Sequence, residues 1–406
     1  MYHSAIEPFS RPIRSNASGL RVALFSGNYN YLPDGANQAL NRLVEHLENR
    51  GATVRVYSPA GRSPAFPPAG TLVPIPSVPI PGRGEYRLAT GLPLPVQKDL
   101  CRFAPHLIHV SAPDILGRRA QAFARSRGIP VIASLHTRFE TYLQFYGLQW
   151  LRPLAERYLH RFYARSDMAL VPTLSIVDEF SAAGLGSRTR LWSRGVDRHT
   201  FDPLRRDLAW RRSIRIADDD IVVLFFGRLV REKGLAQFAA TIDALHATGV
   251  PVRPLVVGDG PERGWLERRL PSAVFTGHLA GDALGRAVAS ADVFFNPSRT
   301  EAFGNVTLEV MASGVASVCA DTPSARALLA EERTALFFAP DDIEGAAEAI
   351  SNLVKAPRRR AEMGREARED SLRYDWVSAS QMVLNAYVET LASWRGTKRR
   401  GAAWSG

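Results

Sequence analysis

Short strand-like runs alternate with helix-like stretches along the whole chain, and this alternation restricts it to an α/β architecture built on parallel sheets. Leu20-Arg-Val-Ala-Leu-Phe25 reads as a strand and residues 27–35 as a polar, Gly-containing loop. Residues 36–50 carry Ala39, Leu40, Leu43, Val44 and Leu47 at helical spacing before Gly51 stops the helix. Thr53-Val-Arg-Val-Tyr57 completes one βαβ unit. Residues 59–84 are crowded with Pro and Gly and predict short strands or extended turns at most. Strands follow at 107–110, 131–135 and 168–171, with a helix around 118–127, and a crossover segment runs through 195–203. A second series of strands starts at 221–226 and continues at 254–257, 273–275, 292–295 and 316–319. A helix with apolar residues at helical spacing is expected around 378–394. The two series predict two doubly wound, Rossmann-like domains facing a central cleft.

At 406 residues the chain is long enough for two cores of ordinary size. Its hydrophobic fraction of 46% is that of a soluble globular protein. No apolar run approaches the ~20 residues a membrane span needs. Arg11 and Arg14 precede no apolar stretch, so no secretory signal is expected. Cys101 and Cys319 are too few for a disulfide framework, and their apolar contexts predict buried, inert thiols in a reducing cytoplasm. The formal charge of +11 suits anionic nucleotide-sugars, an anionic membrane surface or nucleic acid. No nucleic-acid module is present in the sequence, and an Arg-rich composition by itself is the plainer reading.

The densest constellation is Ser298-Arg-Thr-Glu301-Ala-Phe-Gly-Asn-Val-Thr-Leu-Glu309-Val-Met-Ala-Ser-Gly314. It reads as a loop carrying Glu301, a turn at Phe303, Gly304 and Asn305, and a helix with Glu309 about two turns in. A helix N-terminus there offers free N–H groups to an anion or to sugar hydroxyls, and Gly304 permits close approach of a ligand. An ordinary amphipathic helix with solvated acids fits the spacing equally well. Gly227-Arg228-Leu-Val-Arg-Glu-Lys233-Gly234 follows the strand ending at Phe226. Strand ends of this kind bind ligands in α/β proteins, and Arg228 with Lys233 suits a diphosphate; the alternative is a solvated basic turn. Gly258-Asp-Gly260-Pro has the wrong spacing for a dinucleotide fingerprint and reads as a positioning turn. His136 at a strand end points towards the expected cleft, with a structural role as the alternative, and Arg138 and Glu140 are acceptor-side candidates. His278 follows a strand, where a surface His is more often incidental. The aromatic run 141–150 suits an acceptor pocket. Residues 150–165 set Arg157, Arg161 and Arg165 on one face, as an interfacial helix does or as a core helix with a solvated basic face does. No metal site is evident; 218–220 reads as a polar turn.

Glu301-x7-Glu309 around Phe303-Gly304-Asn305, with Gly227-Arg228 and Glu232-Lys233-Gly234, resembles the signature of the retaining glycosyltransferases of family four, which have the GT-B fold. The resemblance covers nearly everything after residue 18 and is strongest at 226–234 and 297–314. Ala302 stands where the family usually has Thr or Gly, and 320–326 lacks the family's Gly-rich turn and acid. His136-Thr137 followed by Tyr146-Gly147-Leu148 is similar to the branch of lipid-directed sulfoquinovosyl- and mannosyltransferases.

Residues 1–18 read as a loose arm, and the basic, Gly-containing tail, 396–406 with Arg395 at its edge, as unstructured; the resemblance implies an acceptor-side domain at 19–200, a nucleotide-sugar domain at 201–375 and a crossover helix at 376–395 returning to the first domain. It implies a UDP- or GDP-sugar as donor substrate, no cofactor, no metal and no nucleic-acid partner. The acceptor would be a membrane lipid or lipid-linked glycan, met at the inner face of the cytoplasmic membrane. The diphosphate would lie on Arg228 and Lys233 beside Gly227, with the ribose on Glu309. The sugar would lie on Glu301 and the backbone of Phe303, Gly304 and Asn305. His136 and the Gly35 loop would close over it, while Gly258 and His278 would lie near the nucleotide. An epimerase on the same fold and a non-enzymatic basic binding module are the rival readings.

Overall fold

Short apolar runs, buried at the centres of the sheets, make most strands of the computed structural model, which describes residues 17–31, 34–61, 64–80 and 83–403. In the first half these are β1 (Arg21–Phe25), β2 (Thr53–Ser58), β3 (Thr71–Pro74), β4 (Ser77–Ile80), β5 (Arg83–Ala89), β6 (Leu107–Val110), β7 (Val131–Ser134), β8 (Met168–Val171) and β9 (Thr189–Leu191). Seven of them form a parallel sheet in the order β3-β2-β1-β6-β7-β8-β9, while β4 and β5 pair as a separate antiparallel hairpin. The second half supplies β10 (Val222–Phe226), β11 (Arg253–Val257), β12 (Val274–Gly277), β13 (Val293–Asn296), β14 (Ala316–Ala320) and β15 (Ala335–Phe338), in the order β12-β11-β10-β13-β14-β15. Helices cover both faces, which is why β6, β7, β8 and β14 are buried at every residue.

Strand order reverses beside β1 in one sheet and beside β10 in the other, and ligands of open α/β sheets bind at the carboxyl ends of strands at such points. The loop after β1 leads to the helix Gly35–Asn49. Asp34 caps it, its Oδ1 accepting from Asn37 N at 2.8 Å. The expected stripe of Ala39, Leu40, Leu43, Val44 and Leu47 is buried, each larger side chain worth roughly 1.5–3 kcal/mol. The last helix, Trp376–Ala403, buries Val383, Leu384, Ala386 and Tyr387 in the same core, against β1, β2, β6, β7 and β8. It therefore returns from the second sheet to the first. The two interdomain connections touch: Val196 N donates to Tyr374 O (3.3 Å), and a Cβ on Gly195 would lie 2.3 Å from Trp376 N.

Three expectations are corrected. Cys101 is exposed; its helix, Leu94–Phe103, buries Val96, Leu100 and Phe103, and Cys101 lies a 100° step off that stripe. The tail is helical as far as Ala403 rather than unstructured from Arg395, because a nucleated helix extends readily through Lys and Arg, with Gly costing about 1 kcal/mol. Residues 404–406, like residues 1–16 of the arm, lie outside the described residues. The helix bearing Glu309 starts only at Asn305, so Glu309 is about one turn in, not two, because Gly304 at φ +102° cannot be helical.

Candidate active site

The turns after β10, β11 and β12 are laced together at the carboxyl edge of the second sheet. Gly227 N donates to Val257 O (3.0 Å), Gly258 N to Gly277 O (2.9 Å) and Leu229 N to Asp259 O (2.9 Å). Gly258 has φ +140°, and a Cβ there would lie 1.9 Å from Gly227 O. The Gly258-Asp-Gly260-Pro turn thus braces the loop that carries Arg228. The guanidinium of Arg228 donates to the Tyr86 hydroxyl, and its Cζ lies 5.3 Å from the centroid of that ring. Lys233 ends the short turn Arg231–Lys233, and its Nζ pairs with Glu301 Oε1. Burial alone would raise the Glu301 carboxyl; the Lys233 charge and hydrogen bond outweigh it and hold the group below the usual carboxylate range.

The chain turns at Phe303 and Gly304 into the helix Asn305–Ala312, which has no side-chain cap, so its first N–H groups are open to a ligand. Glu309 is half-buried, its side-chain carboxyl has no hydrogen-bond or ion-pair partner among the described residues, and burial pushes that carboxyl up to about 8. Asn305 Oδ1 is likewise buried without a partner. A buried amide oxygen without a donor, beside a half-buried acid without one, needs an explanation, and ligand hydroxyls are suitable donors. His278 is exposed after β12.

The first domain supplies the opposite wall. A Cβ on Gly35 would lie 2.1 Å from Asn305 Nδ2, so the N-terminal ends of two helices meet there. Ala302 packs within the first domain's core cluster. Tyr142 is surrounded by the second domain's charges. Burial raises its hydroxyl most, then Glu301, Glu232 and Tyr86, with Arg228 opposing. Tyr146 donates to Glu232 Oε2 (3.3 Å), and Arg299 Cζ lies 5.8 Å from the Phe145 ring. The aromatic run therefore straps across the cleft. Arg138 is bound to Glu140 and forks onto Glu179 at 2.9 Å through both terminal nitrogens, so this trio forms an ion-pair network.

His136 has both ring nitrogens engaged. Arg194 Nη2 donates to its Nδ1 (3.1 Å), and its Nε2 bonds Ser134 Oγ (2.8 Å). A guanidinium only donates, so Nδ1 accepts and the proton of the neutral ring lies on Nε2. Burial first, then Arg194 and His109, keeps the ring neutral well below its usual range. Ser134 Oγ continues to His109 Nε2 (2.8 Å), and His109 Nδ1 to Tyr387 Oη (2.6 Å). This chain ties the cleft wall to the last helix. Arg194, Tyr86 and Asp34 were not singled out from sequence: Arg194 lies in an unpatterned crossover, and Tyr86 just beyond the Pro- and Gly-rich stretch. Among the described residues, no group of three or more His, Cys, Asp or Glu is arranged to hold a metal.

Two Rossmann-like sheets face a cleft bearing two cations, an open helix N-terminus and two half-buried acids, which is the arrangement of a GT-B glycosyltransferase. Residues 33–200 match the family described as Glycosyltransferase Family 4, and residues 220–356 match Glycosyl transferases group 1. The chain belongs to the family-four glycosyltransferases. It is 31% identical over 394 residues to the sulfoquinovosyl transferase SQD2 of Arabidopsis thaliana, covering 93% of this chain and 75% of that one. It is 32% identical over 380 residues to the GDP-mannose-dependent alpha-mannosyltransferase of Mycolicibacterium smegmatis, covering 92% and 98%. The fold is similar to that of sucrose-phosphate synthase from Thermosynechococcus elongatus, with a TM-score of 0.74, 18% identity, and 92% and 100% of the two chains covered.

Proposed function

We propose that the enzyme moves a hexose from a nucleotide-diphosphate sugar to a hydroxyl of a membrane lipid or lipid-linked glycan, with retention at the anomeric carbon. The observation that carries this reading is the unpartnered Glu309 carboxylate one turn inside an open helix N-terminus, next to the Lys233–Glu301 pair. Glu309 accepts from ribose hydroxyls. Glu301 accepts from sugar hydroxyls, and the backbone at Phe303, Gly304 and Asn305 supports the same sugar. Arg228 and Lys233 neutralise the charge that grows on the departing diphosphate. The acceptor oxygen bonds to the anomeric carbon from the leaving-group face, the bond to the diphosphate oxygen breaks, and the acceptor's proton passes to that oxygen. The two cations do this without a metal ion. His136, neutral with its proton on Nε2 and both ring nitrogens bonded inside the protein, shapes the pocket and transfers no proton.

The name of one relative, a GDP-mannose-dependent alpha-mannosyltransferase, supports a nucleotide-sugar donor. A lipid acceptor is supported by the surface next to the aromatic strap. Trp150, in the short turn Gln149–Leu151, is 72% exposed, and Leu154 is 65% exposed on the helix that follows, Arg152–Ala164, where Arg152, Arg157 and Arg161 are exposed too. Apolar tips among cations suit an anionic bilayer, where the enzyme would sit peripherally. No helix among the described residues is long and apolar enough to cross a membrane.

The deciding experiment is calorimetric binding of UDP and GDP, followed by sugar transfer to lipid acceptors in chelator. One nucleotide should bind, transfer should survive chelation, and Lys233→Ala should lower the rate at least a hundredfold. Conversion of the donor alone into an isomeric nucleotide-sugar would mark an epimerase instead. Binding to anionic vesicles with no affinity for either nucleotide would leave only a basic binding module.

A further inference from the structure

Arg194 lies beyond the end of β9, where the chain leaves the first sheet for the second, and it is 3% exposed. The other deeply buried arginine, Arg211, is matched by Asp292 Oδ2 at 3.2 Å and by the carbonyls of Ala217 and Asp220. Arg194 has no carboxylate partner among the described residues. Its Nη1 donates to Trp192 O (2.8 Å) and Ser193 O (3.2 Å), and its Nη2 to His136 Nδ1 (3.1 Å). Its Cζ lies 4.8 Å from the Trp192 ring centroid and 6.0 Å from that of Phe303. A guanidinium has five N–H groups, so at least two are left without a protein acceptor among the described residues. Burying a cation without a counter-ion costs free energy, and a protein that retains one gains it back when an anion binds. Burial pushes the guanidinium down, to about 9, which leaves it charged at neutral pH.

The location says where that anion would come from. Phe303 precedes Gly304 and the uncapped N-terminus of the helix Asn305–Ala312, an anion-favouring end in its own right. We propose that Arg194 is an anion-binding residue of the donor pocket, contributing from the first-domain side the positive charge that Arg228 and Lys233 contribute from the second. The anion is the diphosphate of the donor or an acidic substituent on its sugar. This inference rests on the cleft being a nucleotide-sugar site.

Wild type, Arg194→Lys and Arg194→Met are compared by calorimetry with six probes: uridine, guanosine, UDP, GDP, UDP-glucose and UDP-glucuronate. Loss of affinity for the bound diphosphate of at least tenfold in Arg194→Met, partial recovery in Arg194→Lys and an unchanged nucleoside affinity identify the diphosphate. Loss confined to UDP-glucuronate identifies the sugar substituent. A purely structural Arg194 would lower the thermal midpoint while leaving the ratio of diphosphate to nucleoside affinity as in wild type, and that result overturns the proposal. Should Arg194→Met fail to fold, the side-chain ¹⁵N–¹H signal of Arg194 in wild type, assigned with Arg194→Lys, is followed on adding UDP or GDP. It should shift at saturation, and a signal that stays put overturns the proposal. A wild type that binds none of the probes instead removes the nucleotide-sugar reading itself.

Discussion

Glu309 carries the clearest pH dependence of any single residue in the cleft. Unfolded, its carboxyl ionises near its ordinary value; folded and empty, burial holds the proton up to about 8. Between those values the folded state binds more protons than the unfolded one, so stability falls as pH rises. The thermal midpoint of the empty protein should therefore decline from about pH 5 to about pH 8 more steeply in wild type than in Glu309→Gln. With the ribose placed on Glu309 as proposed, a bound nucleotide should flatten that slope. Parallel profiles for the two proteins would exclude Glu309 as its source. Glu301 lies eight residues away and behaves oppositely, because Lys233 compensates its burial and nothing compensates that of Glu309. Both acids were legible in the sequence from their spacing. Their opposite electrostatics were not, since those depend on which cation the fold places beside each.

The turns at the strand ends are the elements that set the site. Gly258→Ala combines a left-handed backbone with a contact of 1.9 Å to Gly227 O. It is expected to cost about 1–3 kcal/mol or more and to raise the donor KM by shifting the Arg228 loop. Gly249→Ala is the control: its φ is +72°, but nothing lies within 4 Å of the added Cβ. It should cost about 1–2 kcal/mol and leave the donor KM unchanged. Equal KM values in the two variants would show that the brace between the turns does not position Arg228. Strands were readable because parallel strands covered on both faces are continuous apolar runs. The pairing of β4 with β5 was not, as a stretch crowded with Pro and Gly predicts no more than short strands or extended turns, and with it Tyr86 was missed.

At the scale of the whole molecule, catalysis needs the two domains at one separation. Gly35 and Asn305 are 270 positions apart and touch with no room for a Cβ on Gly35. The neighbouring atom is the end of a side chain, so Gly35→Ala should fold with little loss of stability. Its kcat/KM should fall by on the order of tenfold or more, because small misplacements of reacting groups are costly. An unchanged rate would show that Asn305 swings aside freely and that this contact does not gauge closure. The exposed apolar and basic surface belongs to this scale too. Trp150→Ala with Leu154→Ala should reduce binding to anionic vesicles several-fold without changing nucleotide affinity. Equal vesicle binding would exclude that face as the membrane contact.

Periodicity and strand-end glycines were enough to give an α/β chain of two sheets, and the acids and cations of residues 226–234 and 298–309 marked the side proposed to hold the donor. Those signals are local: each rests on neighbours in sequence whose spacing survives without knowledge of the fold. What only the tertiary structure decided is everything made by residues far apart in the chain. Arg194 meets His136, Tyr146 meets Glu232, Arg228 meets Tyr86, and His109 joins Ser134 to Tyr387. The sequence proposed His136 as a group in the pocket; the fold neutralises it and occupies both its nitrogens. It also exposes Arg194 as a buried cation without a counter-ion, since burial and charge pairing are properties of the packed molecule, not of any segment of it.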